Sequence, residues 1–260
     1  MIKAMWTAAS GMNGQQLKID VMANNLANVS TNGFKKSRSE FEDLFYSTYR
    51  EAGSPTAIGG NVPSSIQVGM GTRPVAVKKI FTQGDYLQTE NQLDMAIEGE
   101  GFFRLISGDM EVYTRNGAFN IDADGYIVNS MGDRLQPDFS VPSDTANIDI
   151  SKDGEITCLS SDDEVIASGQ IPVYTFINPS GLKAIGRNAY ISTPGSGDAT
   201  EGVAGNANFG TIAQGYLEQS NVDAVEEMIN MIAGQRAYEM NSKAIKTSDS
   251  MLQVANSLVR

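Results

Sequence analysis

Histidine is absent from the 260 residues, and cysteine occurs once, as Cys158. The first absence removes every Ser-His-Asp and Cys-His arrangement and every imidazole metal site. The second removes any internal disulfide. Cys158 sits in a strand-like stretch without an imidazole partner, so it is expected to be a buried structural thiol and not a nucleophile. Long apolar runs are missing too: no stretch approaches the roughly 18 apolar residues of a spanning helix. The opening MIKAMWTAASGMNGQQLKID has one early lysine and no sustained apolar run, unlike a secretory leader. A chain that is cytoplasmic, or leaves by a route needing no cleaved signal, is the expectation.

Other patterns that carry chemistry are incomplete. Gly99-Glu100-Gly101 does not finish a dinucleotide fingerprint, because Arg104 stands where the last glycine belongs and a strand follows. Asp122-Ala123-Asp124-Gly125 begins like a calcium loop, but Tyr126 and Asp133 occupy later ligand positions, so a hairpin turn is expected. Ser161-Asp162-Asp163-Glu164 reads as a solvated loop. No phosphate loop is present. Catalytic residues, cofactors and metals are therefore all expected to be none; a carboxylate-only hydrolase is the remaining enzymatic alternative.

What is present is apolar material for a core, 41% of residues, with 19% charged and a net charge of −12. The imbalance is concentrated: residues 36–216 hold 24 acids against 12 bases. Such a middle repels nucleic acid and anionic lipid, so neither nucleic-acid binding nor membrane insertion is expected.

The two ends repeat every three or four residues. Met5, Ala8, Met12, Gln15, Ile19, Met22, Leu26 and Val29 form one seam, ended by Asn32-Gly33, whose glycine suits the left-handed cap just past a helix. Ala237, Met240, Ala244, Thr247, Met251, Val254 and Leu258 form a second, fed by Val225, Ile229 and Ala233. Ser220 with Asp223 reads as a capping box opening a helix over 221–258. Between the ends, β-branched and aromatic runs alternate with turn signals such as Asp124-Gly125 and Asp153-Gly154. The expected fold class is α+β. Its N- and C-terminal helices (1–35 and 217–260) pair as a coiled coil, and 73–216 form a mostly antiparallel β domain. Residues 36–72 make a connector that starts helix-like, with Phe41, Leu44, Phe45 and Tyr49 at usable spacing, and then becomes extended.

From Val21 to Phe34 no side chain is charged, and Asn24, Asn25, Asn28 and Asn32 crowd the same stretch. With the first seam at heptad positions a and d, Asn24, Asn25 and Asn28 fall at f, g and c, away from the partner helix. A wetted helix face usually carries charge. Amides that donate and accept at once suit a face packed against further helices. One chain supplies one partner helix, so this amide face predicts contacts between subunits. Capping near a turn is the alternative, and it explains Asn32 better than Asn24.

ANNLANVSTNGFKKSRSEFEDL, from Ala23, resembles the signature of the bacterial flagellar rod and hook family, with Ser30 where asparagine is usual. IEGEGFFRL (97–105), YTRNGAFNIDADGYIV (113–128) and the stretch 220–253 are similar to its other signatures, in order along nearly the whole chain. The resemblance implies a non-enzymatic axial protein of the basal body that spans the periplasm after export without a cleaved signal. Implied partners are further copies in a helical tube, proximal rod proteins, the hook protein, periplasmic and outer-membrane ring proteins, and the flagellar type III export apparatus. Members that build the distal rod carry an extra stretch associated with stiffness; here it corresponds to Tyr46 to Gly69.

Overall fold

The structure, a computed structural model, describes residues 2–53, 63–206 and 208–258, with the backbone alone for Leu258. The chain divides into two compact units: Met1–Leu26, Ser37–Lys78 and Ala224–Arg260 in one, Ala27–Lys36 and Lys79–Asp223 in the other.

The first unit holds both long helices, α1 (Ile2–Ala27) and α2 (Ala224–Leu258). Neither contains proline, and Glu226 and Glu227 lie in the first turn of α2, where the helix dipole favours negative charge. Each helix is shorter than its sequence period suggests. α1 stops at Ala27, so Val29 lies beyond it, and the Thr31 amide turns back to the Asn28 carbonyl at 3.2 Å. Gly33 does adopt a left-handed φ of +69°, but in a later turn and not as the helix cap. α2 opens at Ala224, after Ser220 Oγ has accepted from the Val222 amide at 3.3 Å.

The connector is not helical at its start. Four strands occupy it: β1 (Ser37–Asp43), β2 (Tyr46–Arg50), β3 (Ile66–Gly69) and β4 (Thr72–Lys79). β1 pairs with β4, and β2 pairs antiparallel with β3, Tyr46 opposite Gly69. Phe41, Leu44, Phe45 and Tyr49 fit a helical spacing, yet Phe41 lies in β1, paired with the valine-bearing β4, Tyr49 lies in β2, paired with β3, and Leu44 and Phe45 lie between the two strands. The middle of the Tyr46–Gly69 stretch, 54–62, lies outside the described residues.

The second unit is β-rich. Its largest sheet has seven strands in the order 183–186, 189–191, 110–114, 103–107, 134–135, 127–129, 119–121. The described pairings in this unit are antiparallel. The turn signals are where expected: Gly125 (φ +84°) links strands 119–121 and 127–129, and Gly154 (φ +82°) links 147–150 and 155–159. Strand 155–159 alternates faces, sending Ile156 and Cys158 into the core and Glu155 outward. One apolar cluster runs from Leu93 through Phe103, Ile156 and Val173 to Ile212; a second gathers Phe102, Tyr113, Tyr174, Phe176, Leu182 and Tyr190. Rings in the second meet edge to face, Tyr113 and Phe176 at 4.9 Å between centroids.

Candidate functional site

α1 and α2 touch at three levels. A methyl group added at Gly11 would lie 3.0 Å from Asn241 Nδ2, and one at Gly234 would lie 3.2 Å from Ile19 Cγ1 and 3.3 Å from Met22 Cε. Asn25 Nδ2 donates to Glu227 Oε2 at 3.3 Å. As α1 is followed forward, its partners on α2 run backward, so the contacts are antiparallel. On α1 the seam residues Ala8 and Met22 are buried, and Met5, Met12, Ile19, Leu26 and Val29 are half-buried.

On α2 the face turned to α1 is not the apolar one. It carries Glu227, Gly234 and Asn241, spaced by seven, with half-buried Ile245, Ser248 and Leu252 continuing the line. Val225, Ile229, Met240, Met251 and Val254, expected in the seam, lie on the opposite side of the helix and are 55% to 66% exposed. Ala237 is half-buried, Ala244 is exposed, and the Leu258 side chain lies outside the described residues. The apolar line that the period marks on α2 is turned away from α1. Small residues at the α1 contact allow the helices to come close, which leaves the apolar line outward.

The asparagines also separate. Asn25 points inward: Nδ2 donates to the Ser37 carbonyl at 2.9 Å, and Oδ1 accepts from the Ser37 amide at 2.9 Å. Its amide serves the chain's own backbone, which corrects its assignment to an outer face. Asn24 is exposed and Asn28 half-buried, with Asn28 Oδ1 accepting from Thr31 Oγ1 at 3.2 Å.

The second unit holds a buried ion cluster that no local spacing announces. Lys35, Glu218 and Arg115 come from distant stretches and are 0%, 1% and 4% exposed. Glu218 Oε1 accepts from Lys35 Nζ at 2.5 Å and from the Gly84 amide at 3.0 Å; Oε2 accepts from Arg115 Nε at 2.9 Å. Arg115 also donates to the carbonyls of Gly99 (2.9 Å) and Gly101 (2.7 Å), so the Gly-Glu-Gly stretch cradles a guanidinium, not a nucleotide. Two cations share one carboxylate. Burial holds the Lys35 ammonium below the usual lysine range, Glu218 opposes that shift, and the Arg115 charge adds to it.

Among the described residues no group of three or more Asp, Glu, His or Cys could hold a metal. Asp122 forms a turn: its carbonyl accepts from the Gly125 amide at 2.9 Å. No helix among the described residues is long and apolar enough to cross a membrane.

Comparison with known proteins identifies the family. The flagellar basal-body rod protein FlgG of Borreliella burgdorferi is 47% identical over 264 residues, covering 100% of both chains. This chain belongs to the flagellar basal-body rod family. FlgG of Caulobacter vibrioides is 44% identical over 260 residues, covering 99% of each chain, and FlgG of Bacillus subtilis is 37% identical over 270, covering 100% of each. The family models match in three places. The flagella basal body rod protein model covers 5–35, the flagellar hook protein FlgE/F/G D1 domain 96–158, and the rod FlgEFG protein C-terminal model 213–258. A flagellar hook protein of Borreliella burgdorferi is 40% identical over 138 residues, covering 52% of this chain and 31% of its own. Two of the three matched regions, 5–35 and 213–258, include most of α1 and all of α2, and the exposed apolar line lies within the second.

Proposed function

We propose that the chain is a structural, non-catalytic subunit of the flagellar distal rod, polymerising into the drive shaft that carries torque across the periplasm to the hook. α1 and α2 zip as a coiled coil, and the outward line of Val225, Ile229, Met240, Met251 and Val254 is covered by neighbouring copies. Asn24 and Asn28 face the same neighbours. Partners along the axis are proximal rod proteins and the hook protein; around it are the periplasmic and outer-membrane rings; delivery is by the type III export apparatus. The Tyr46–Gly69 stretch sits between neighbours and resists sliding, so its deletion should give curved polymers.

The observation that carries this reading is the exposed line itself. Each such side chain is worth about 1.5–3 kcal/mol when fully buried, and a lone molecule leaves that unrealised. Electron microscopy of concentrated protein tests it. Wild type is expected to form straight filaments, and Ile229→Asp with Met240→Asp to stay monomeric with the circular dichroism of its β strands intact. Filaments from the double variant, or none from the wild type at any concentration, would refute the proposal.

A further inference from the structure

Residues 27–36 belong to the second unit, although the sequence around them belongs to the first. Their attachment is dense and mostly polar. The Gly33 amide donates to the Glu218 carbonyl at 2.7 Å, and the Lys36 amide to Asn221 Oδ1 at 2.7 Å. The Lys36 carbonyl accepts from the Ile80 amide at 2.9 Å, and the Asn32 carbonyl from Asn188 Nδ2 at 2.9 Å. Lys35 Nζ reaches the Thr82 carbonyl at 2.7 Å as well as Glu218. Phe34 is buried beneath the Lys79 ammonium, 4.8 Å from its ring centroid. Gly33 has φ +69°, and a Cβ there would lie 2.6 Å from the Asn116 nitrogen, so no other residue fits.

Two facts set this segment apart from the rest of the unit. Both apolar clusters are built from residues between Phe81 and Ile212, and the segment contributes to neither. The core therefore closes without it. The ion cluster is balanced without it too, since Arg115 and Glu218 alone form a neutral pair, and Lys35 brings the surplus positive charge. The segment presents to this surface, in order, a left-handed glycine, an aromatic ring and an ammonium.

We propose that residues 79–223 form a peptide-binding site, and that Asn32-Gly33-Phe34-Lys35-Lys36 is its ligand, a clasp that releases while the β body stays folded. Glu218 is the receptor carboxylate, Asn221 and Asn188 hold the ligand backbone, and Lys79 covers the ring. The site takes peptides of the form Gly-aromatic-Lys.

Hydrogen exchange on the full chain at dilute concentration tests this. In Lys35→Gln, exchange at the Gly33 and Lys36 amides should rise at least about tenfold, as expected for a lost charged hydrogen bond. Strand amides in 103–107, 110–114 and 155–159 should be unchanged. A matching rise in those strands would overturn the proposal, because the segment would then be part of the core. No rise anywhere would overturn it as well. A second measurement uses full-length Gly33→Ala, whose own clasp cannot seat, titrated with the free peptide ANVSTNGFKK. Saturable binding is expected, lost when the peptide lysine matching Lys35 is glutamine. Equal binding of both peptides, binding of neither, or loss of strand protection in Gly33→Ala refutes the assignment.

Discussion

Replacing Glu218 with glutamine isolates the charge imbalance in the buried cluster. The amide keeps an acceptor near the Lys35, Gly84 and Arg115 donors and removes the one negative charge. Two cations that are 0% and 4% exposed then face each other without compensation. Stranding a buried charge costs about 3–5 kcal/mol. Because Lys35 can leave with its clasp while Arg115 keeps the Gly99 and Gly101 carbonyls, the low end applies, about 3 kcal/mol. For a unit of this size that lowers the melting temperature by roughly 6–12 °C. Lys35→Met is the contrasting change. It leaves the neutral Arg115–Glu218 pair at 2.9 Å and should cost about 1 kcal/mol or less of global stability. In the double variant the two effects should couple, so that the pair costs less than the sum. Urea unfolding followed by near-ultraviolet circular dichroism of Tyr113, Tyr174 and Tyr190 reads all three. If Lys35→Met costs as much as Glu218→Gln, the argument from net buried charge is wrong. The pH dependence gives a second reading. With its folded pKa below the ordinary 10.5, Lys35 binds fewer protons folded than unfolded in the window between the two values. Stability from this group therefore rises as pH climbs through that window, and Lys35→Met should erase that slope.

Three further outcomes are expected. At Gly234, alanine should fall within about 1 kcal/mol of wild type, since its methyl meets Ile19 Cγ1 at 3.2 Å and the flexible Met22 tip at 3.3 Å, a crowding that the gain in helix propensity offsets. Valine there should cost about 1–3 kcal/mol by forcing the helices apart, and an unchanged thermal melt at 222 nm would contradict the packing. Asn25→Ala strands both polar groups of Ser37 and should cost about 2–3 kcal/mol in the first unit, measured by denaturation followed at Trp6. Cys158 is fully buried, and burial pushes its thiol up, so it should resist a disulfide reagent at pH 8 until urea unfolds the second unit. Labelling of the native chain at the unfolded rate would show the thiol to be accessible.

Much of the architecture was legible. The glycine turns at Asp124-Gly125 and Asp153-Gly154 need positive φ, which few residues tolerate, so they mark hairpins unambiguously. The two terminal helices were legible as helices because a three-four spacing is a local signal. Four things were not. A period of 3.5 locates an apolar line without saying whether the chain or another copy covers it, and on α2 it lies opposite the contact with α1. Phe41, Leu44, Phe45 and Tyr49 suit a helix by spacing, and only the pairing of β1 with β4 and of β2 with β3 puts the chain into strands there. Lys35, Arg115 and Glu218 meet from opposite ends of the sequence, and no local spacing announces such a meeting. Gly33 was read as a helix cap because its left-handed φ was foreseen, but the close approach to Asn116 was not.

Lys35 waits for a residue 183 positions later. Synthesis proceeds at about 5–20 residues per second, so the lysine is made roughly 10–40 s before its carboxylate exists. α1 waits longer still, because its antiparallel mate begins only at Ala224. Until that stretch exists a growing chain carries neither the contact that α1 uses nor the outward apolar line beside it.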